Sequence, residues 1–297
     1  MYHYIIYDLK IETDLYFPQL VECEDNRQSD IMILSGEMPE YVAEREKEKN
    51  YEFGQDKGFL VNKTCKMYVE NGNSITYILK ADGIEKYLQS YLLGFGMSMI
   101  AMQREMISIH CSALADSEGA LLIAGESGAG KSTLATAFLE AGYRFMADDM
   151  VFAETVDGKV MAKPAFPFQK LCRNVVEEKG YDVNELIYIN EEKDKFLAPV
   201  KNEFVNKPLP VKAFIYLAVT GEKEVVSEEV TGINKLGLCA NNLFLRRLLG
   251  KDKYAPHIGQ KCLEAAAAMP MYCIGRPQNR DTSKEVISKA FEIIEGL

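Results

Sequence analysis

The hydrophobic pattern changes period along the chain. From residue 1 to about 80, β-favouring runs at Tyr4 to Leu9, Ile31 to Leu34 and Thr64 to Glu70 predict strands. Asn71-Gly72-Asn73 stands between Lys66 to Val69 and Ile75 to Ile78, which predicts a hairpin. The charged run Glu44 to Lys49 reads as a solvated loop or helical turn and receives no chemistry. From Asp82 the period becomes helical. Tyr87, Tyr91, Leu92, Phe95, Met99 and Met102 form an apolar stripe behind a capping-box pair, Asp82 and Glu85, and predict a linking helix packed into a core.

Beyond Ile107 strands and helices alternate. Ala120 to Ala124 is an apolar run of buried-strand type, and Ser132 to Ala141 is a good helix former closed by Gly142. Tyr143 to Ala147 predicts a returning strand, and Val151 to Thr155 with Lys159 to Ala162 predicts a hairpin turning at Asp157-Gly158. A buried strand over Val211 to Val219 follows. Helices are expected over Ile233 to Leu249 and Ile258 to Ala268, and a final one capped by Thr282 and Glu285. The expected organisation is a β-rich unit with its linking helix over residues 1–104 and an α/β unit over 105–297.

Between the strand at 120–124 and the helix at 132–141 lies Gly125-Glu126-Ser127-Gly128-Ala129-Gly130-Lys131-Ser132, a complete GxxxxGKS phosphate-binding octet. Its three glycines let backbone N–H groups face phosphate oxygens, which Cβ atoms would obstruct. Lys131 is placed to reach the β- and γ-phosphates, and Ser132 offers a hydroxyl to Mg²⁺, with Thr133 beside it in the first helical turn. The octet therefore predicts ATP and Mg²⁺ as cofactors.

Composition narrows this reading. The chain has 297 residues, 47% hydrophobic and 26% charged, which suits a globular protein with a real core. Its net charge of −10 disfavours broad binding to nucleic acid or anionic membranes. Seven cysteines occur without CxxC or zinc spacing and read as reduced thiols, Cys111 and Cys273 as small core residues. Tyr91 to Met102 is too short and glycine-interrupted to span a membrane, and the amino terminus lacks a secretory pattern, so a cytoplasmic location is expected.

Asp148 and Asp149 follow Lys131 by 17 and 18 residues, the distance at which one short helix and a returning strand bring the chain back. As strand neighbours they would point to opposite sides, one toward Mg²⁺ and the other toward an incoming hydroxyl as general base. The alternative is a purely Mg²⁺-holding pair of a hydrolase or switch, or a turn cap. His110 ends an apolar strand. On residue type alone it is a satisfied core histidine or a group near the γ-phosphate.

At Ile109-His110, Gly125 to Ser132 and Ala147-Asp148-Asp149 the chain resembles bacterial HPr kinase/phosphorylase in residue type and spacing. The resemblance covers about Ile107 to Thr155. It implies a phosphate-loop fold related to phosphoenolpyruvate carboxykinase, with phosphorylation of a serine hydroxyl on a protein or peptide. It also implies His110 in the active site, Lys131 on phosphate, Ser132 on Mg²⁺, Asp149 as base, and self-association, since the related enzymes are oligomers. The family's glycine-rich signature after the acidic pair is missing. Pro164 to Arg173 stands there instead and looks like a segment of shorter kinase-like relatives linked to peptide modification. Transition-state charge must then come from Lys170, Arg173, Lys195, Arg276 or Arg280, with Arg173 and Lys195 favoured by their proline-bounded, aromatic loops. Two other readings remain at this stage, a nucleotide-binding regulatory or assembly module and a small-molecule kinase.

Overall fold

The computed structural model describes residues 1–126, 128–178, 180–190, 194–200, 203–246 and 256–297. It is a mixed α/β structure with three sheets among the described residues. The first sheet holds β1 (Tyr2–Ile6), β2 (Leu9–Thr13), β3 (Val21–Glu22), β4 (Ile31–Ser35), β5 (Tyr51–Phe53), β6 (Lys57–Val61), β7 (Cys65–Glu70) and β8 (Ser74–Leu79). Helix α1 (Glu40–Arg45) follows β4. Their spatial order is β3-β1-β2-β4-β8-β7-β6-β5. The Asn71-Gly72 hairpin forms as expected, both residues left-handed, between β7 and β8.

The expected run Tyr4 to Leu9 is instead cut in two by a turn at Tyr7-Asp8, whose φ angles are 54° and 61°. No glycine marks that turn. Asp8 tolerates the left-handed region, and Tyr7 is held there by tertiary contacts. Its ring stacks on Phe152 at 3.7 Å, and its N–H donates to Pro164 O at 2.8 Å.

The linking helix is α2 (Glu85–Tyr91) and α3 (Met97–Gln103), joined by a π turn over Leu92–Gly96. The Asp82/Glu85 capping box does not form, because Ile84 occupies the cap position and supplies no side-chain bond. The apolar stripe is core, with Leu92, Met99 and Met102 buried.

The remaining elements are β9 (Ile107–Ile109), β10 (Ser112–Ala115), β11 (Ala120–Gly125), α4 (Lys131–Glu140), β12 (Arg144–Ala147), β13 (Val151–Val156) and β14 (Lys159–Lys163). After them come β15 (Phe168–Cys172), α5 (Arg173–Glu178), β16 (Ile187–Asn190), β17 (Lys195–Pro199), β18 (Leu209–Thr220), β19 (Val226–Glu229) and α6 (Ile233–Asn241). The chain ends with α7 (Pro256–Ala268), β20 (Met271–Pro277) and α8 (Ser283–Glu295). The expected helix from Ile233 ends at Asn241, and its last residues, 247–249, lie outside the described ones. Thr282 caps α8 by position only, since its side chain makes no cap bond and Glu285 pairs with Arg280.

The second sheet runs β12-β10-β11-β18-β14-β13-β9, with β20 and β19 added beyond β18. Residues alternate between its faces. Leu121, Ile123, Ile215 and Leu217 pack on one side with Leu134 and Phe138 of α4 and Val286 and Ala290 of α8. Leu122, Ala124 and Phe214 belong to the opposite core, which is continuous from Tyr4 and Ile11 of the first sheet to Cys262 of α7. A three-stranded sheet, β15-β17-β16, stands apart. Among the described residues no helix is long and apolar enough to cross a membrane.

Candidate active site

Strand direction brings the chemistry to one edge. β11 and β18 are parallel, β18 and β20 are parallel, and β12 runs with β11 because each is antiparallel to β10. The carboxyl ends of these strands therefore share an edge, the place where ligands bind open α/β sheets. Gly125 ends β11 there, Ala147 ends β12, and Arg276 lies near the end of β20. Ser112, opposite Ile123, starts β10 at the same edge.

The glycine loop follows from that placement. Gly125 has φ 148°, and a Cβ on it would lie 2.4 Å from Leu217 O, so only glycine lets the loop leave β11 against β18. Gly128 and Gly130 are left-handed at 81° and 106°, and Gly130 caps α4. The first-turn amides of that helix have no intrahelical acceptor and bear its partial positive charge. Lys131 folds back across the loop, its Nζ donating to Gly125 O at 2.7 Å and Glu126 O at 2.9 Å. Glu126, Ser132 and Thr133 are exposed, Ala129 is buried, and Ser127 lies outside the described residues. Arg276 braces the loop from 147 residues away, donating from Nε to Ala129 O at 3.1 Å and from Nη2 to Gly128 O at 2.6 Å.

The acidic pair does not sit on a strand. It occupies the bend after β12, and Asp149 is left-handed at φ 74°. Strand alternation therefore does not separate the two carboxylates, and both accept from Lys170. Asp148 accepts from Ser112 Oγ at 2.8 Å and from the Lys170 N–H at 2.9 Å. Asp149 Oδ2 accepts from Lys170 Nζ at 2.6 Å. His110 Nδ1 lies 2.7 Å from the Asp149 carbonyl, to which it donates, and 3.5 Å from the carboxylate. Its ring packs edge-on against Phe244 at 6.0 Å. His110 is thus joined to the acidic bend, not enclosed in apolar core.

These neighbours set the charge of Asp149. Burial alone would raise its pKa, but Lys170 chiefly, with His110 and Lys195, outweighs it and holds the carboxyl well below the usual range. Cys111 lies beneath the same groups. Burial pushes its thiol up, Asp148 and Asp149 push it further, and Lys131 pulls it down, so all three charges act on one buried sulfur. It is core, as expected.

The other cations are placed unequally. Lys195 pairs with Cys172 across β15 and β17, and its charge acts on Asp149. Arg173 forms a two-point ion pair with Asp194, Nε to Oδ2 2.6 Å and Nη2 to Oδ1 3.1 Å, over the Phe196 ring. Arg280 is likewise engaged by Glu285. Of the five candidate cations, Lys170 bonds the acidic bend and Arg276 bonds the loop.

Beside Asp149 a cavity of about 30 Å³ is lined by Tyr7, Gln19, Ser90, Asp148, Lys170 and Phe244, among others. Gln19 is 3% exposed, and its Oε1 has no hydrogen-bond partner. Sequence reasoning missed Tyr7, Gln19 and Ser112. For Ser112 a signal existed, since it follows His110 by two residues at the start of a strand.

No family model matches the chain, and no curated protein matches it. Among solved structures, the HPr(Ser) kinase/phosphatase from Coxiella burnetii is similar over 64% of this chain and 99% of its own, with 14% identity and a TM-score of 0.32. At that level the reading of the site rests on its own geometry.

Proposed function

We propose that the chain is an ATP-dependent kinase that transfers the γ-phosphoryl group to a serine-type hydroxyl of a peptide or protein. The residue-level resemblance and the sheet edge together support an HPr kinase-like nucleotide-binding unit over 105–297, preceded by the β-rich unit and linking helix of 1–104. One observation carries the reading. An ionised carboxylate, Asp149, lies between a histidine and a lysine at the edge where the glycine loop opens.

In this reading the triphosphate lies on the first-turn amides of α4, and Lys131 exchanges the carbonyls of Gly125 and Glu126 for phosphate oxygens. The residues present fit Mg²⁺. Ser132 exposes a hydroxyl, and each Asp148 oxygen keeps lone-pair capacity beyond the one bond it accepts. Mg²⁺ typically takes one or two protein ligands and completes its shell with phosphates and water. Bound there, it would supply charge neutralisation at the β- and γ-oxygens.

Asp149 takes the proton of the incoming hydroxyl. Its lowered pKa makes it a weak base but keeps it free of a proton, and a loose transition state asks little basicity of the group that takes that proton. Besides Lys131, Lys170 bonded to Asp149 and Arg276 bonded to the loop carbonyls supply positive charge, and Lys195 acts on Asp149. The small cavity beside Asp149, about 30 Å³, has room for two or three water-sized groups at about 10–15 Å³ each, which matches a hydroxymethyl better than a phenol ring.

The 2.6 Å Lys170–Asp149 contact favours a second reading, in which the carboxylate is closed off and nucleotide binding serves only regulation or assembly. Labelled ATP, Mg²⁺ and serine-containing peptides decide between them. Label on the peptide, lost in Asp149→Asn by about 10² to 10⁴ in rate with ATP affinity kept, supports the kinase. ATP binding with no phosphopeptide from any serine peptide supports the second reading.

A further inference from the structure

Against the glycine loop lies a cavity of about 180 Å³ that shares no lining residue with the one at Asp149. Gly128, Ala129, Gly130 and Thr133 form one wall, and Arg276 with Asp281, Thr282 and Ser283 at the start of α8 forms another. Thr282 is 3% exposed, and its Oγ1 is buried without a hydrogen-bond partner. Such a hydroxyl costs free energy unless something binds it. Its position at the head of α8 gives it no cap bond to make up the loss.

From these walls we infer that this cavity takes the nucleoside end of the nucleotide whose phosphates lie in the loop. The inference rests on the nucleotide-binding reading above. Thr133 stands in the first turn of α4 and also lines the cavity, so a ligand leaving the loop amides passes directly into it. The Arg276 guanidinium is pinned by Gly128 O, Ala129 O and Pro277 O, which fixes its plane as a stacking wall for a heteroaromatic ring.

Charge in the cavity is mixed, the Arg276 guanidinium acting on the Asp281 carboxylate. Asp281 accepts from Ser283 N and Oγ, and these bonds lower its pKa, so the cavity mouth carries a carboxylate. That group accepts from ribose hydroxyls or a ring amine. Whole drug-sized ligands need roughly 300–1,000 Å³. The space here suits one ring system.

Titration calorimetry with two probes, ATP and inorganic tripolyphosphate, each with Mg²⁺, tests this. Thr282→Val should weaken ATP about 5- to 10-fold and leave tripolyphosphate unchanged, while Thr282→Ser keeps both. Ser283→Phe, which fills the cavity mouth, should block ATP and spare tripolyphosphate, and it stands as the second variant if the valine form does not fold. Lys131→Ala should weaken both probes. Wild-type ATP affinity in Thr282→Val or Ser283→Phe, or equal loss of both probes, overturns the subsite while leaving the loop reading intact. If the unaltered protein binds neither probe, the nucleotide reading falls and the subsite with it.

Discussion

Asp149 carries a left-handed backbone, an ion pair and a depressed pKa at one position. A carboxyl whose folded pKa lies below its ordinary 3.8 adds stability that is present above that value and is lost as pH falls through the folded one. The wild-type protein should therefore be more stable than Asp149→Asn at neutral pH, with the gap closing below about pH 4. Urea midpoints of both proteins between pH 2 and 7 measure this. A gap that stays constant across the range would mean that Asp149 is not held ionised by Lys170. Lys170→Met leaves the Asp149 charge unpaired, and a loss of about 1 to 3 kcal/mol is expected at pH 7 in the same measurement. That substitution should also slow phosphotransfer while leaving ATP affinity near wild type.

At the scale of elements, the glycine loop was legible because each residue type has a chemical reason at a fixed spacing. The return of Asp148 and Asp149 to the sheet edge where the loop begins was legible too, since one helix and one returning strand bring the chain back. Other features depended on pairing that no local pattern carries. Sequence context favoured Arg173 and Lys195 over Lys170, and the structure joins Lys170 instead to Asp149. Only β15 pairing with β17 sends Lys170 to Asp149 and gives Arg173 to Asp194. Arg276 arrives at the loop through a parallel pairing of β18 with β20. The Tyr7-Asp8 turn lacked a glycine and read as continuous strand.

Close packing at the end of β11 makes a direct test. Gly125→Ala would put a methyl 2.4 Å from Leu217 O, in a backbone region that alanine resists, and should cost well over about 1 kcal/mol along with at least tenfold in ATP affinity. Gly158→Ala is the control. Its φ is also positive, at 75°, but nothing lies near its Cβ, so about 1 kcal/mol is expected and ATP binding should be unchanged. Equal ATP affinity in both variants would remove the fit of loop to β18 from the argument.

Across the whole molecule, the two large sheets share one apolar core, and the linking helix lies within it. Tyr7 of the first sheet is buried against Phe152 of β13, its ring planes 9° from parallel, and it also lines the cavity at Asp149. Nearness to that carboxylate adds to burial in raising the Tyr7 pKa, so the phenol stays protonated over the working range. A boundary near residue 104 therefore crosses a core that neither side completes alone. Unfolding should follow a single transition, with far-ultraviolet circular dichroism and tyrosine fluorescence coinciding in urea. Tyr7→Ala should lower stability by about 3 to 5 kcal/mol, the range for losing a buried aromatic ring, and keep the transition single. Two separated transitions in either protein would instead establish two independently folding units, and the apolar surface joining the sheets would then be an interface between them. Because Tyr7 bridges the sheets beside Asp149, Tyr7→Ala should also reduce peptide phosphorylation more than ATP binding. Equal reduction would assign the residue to general stability and leave the acceptor side of the site to the second sheet alone.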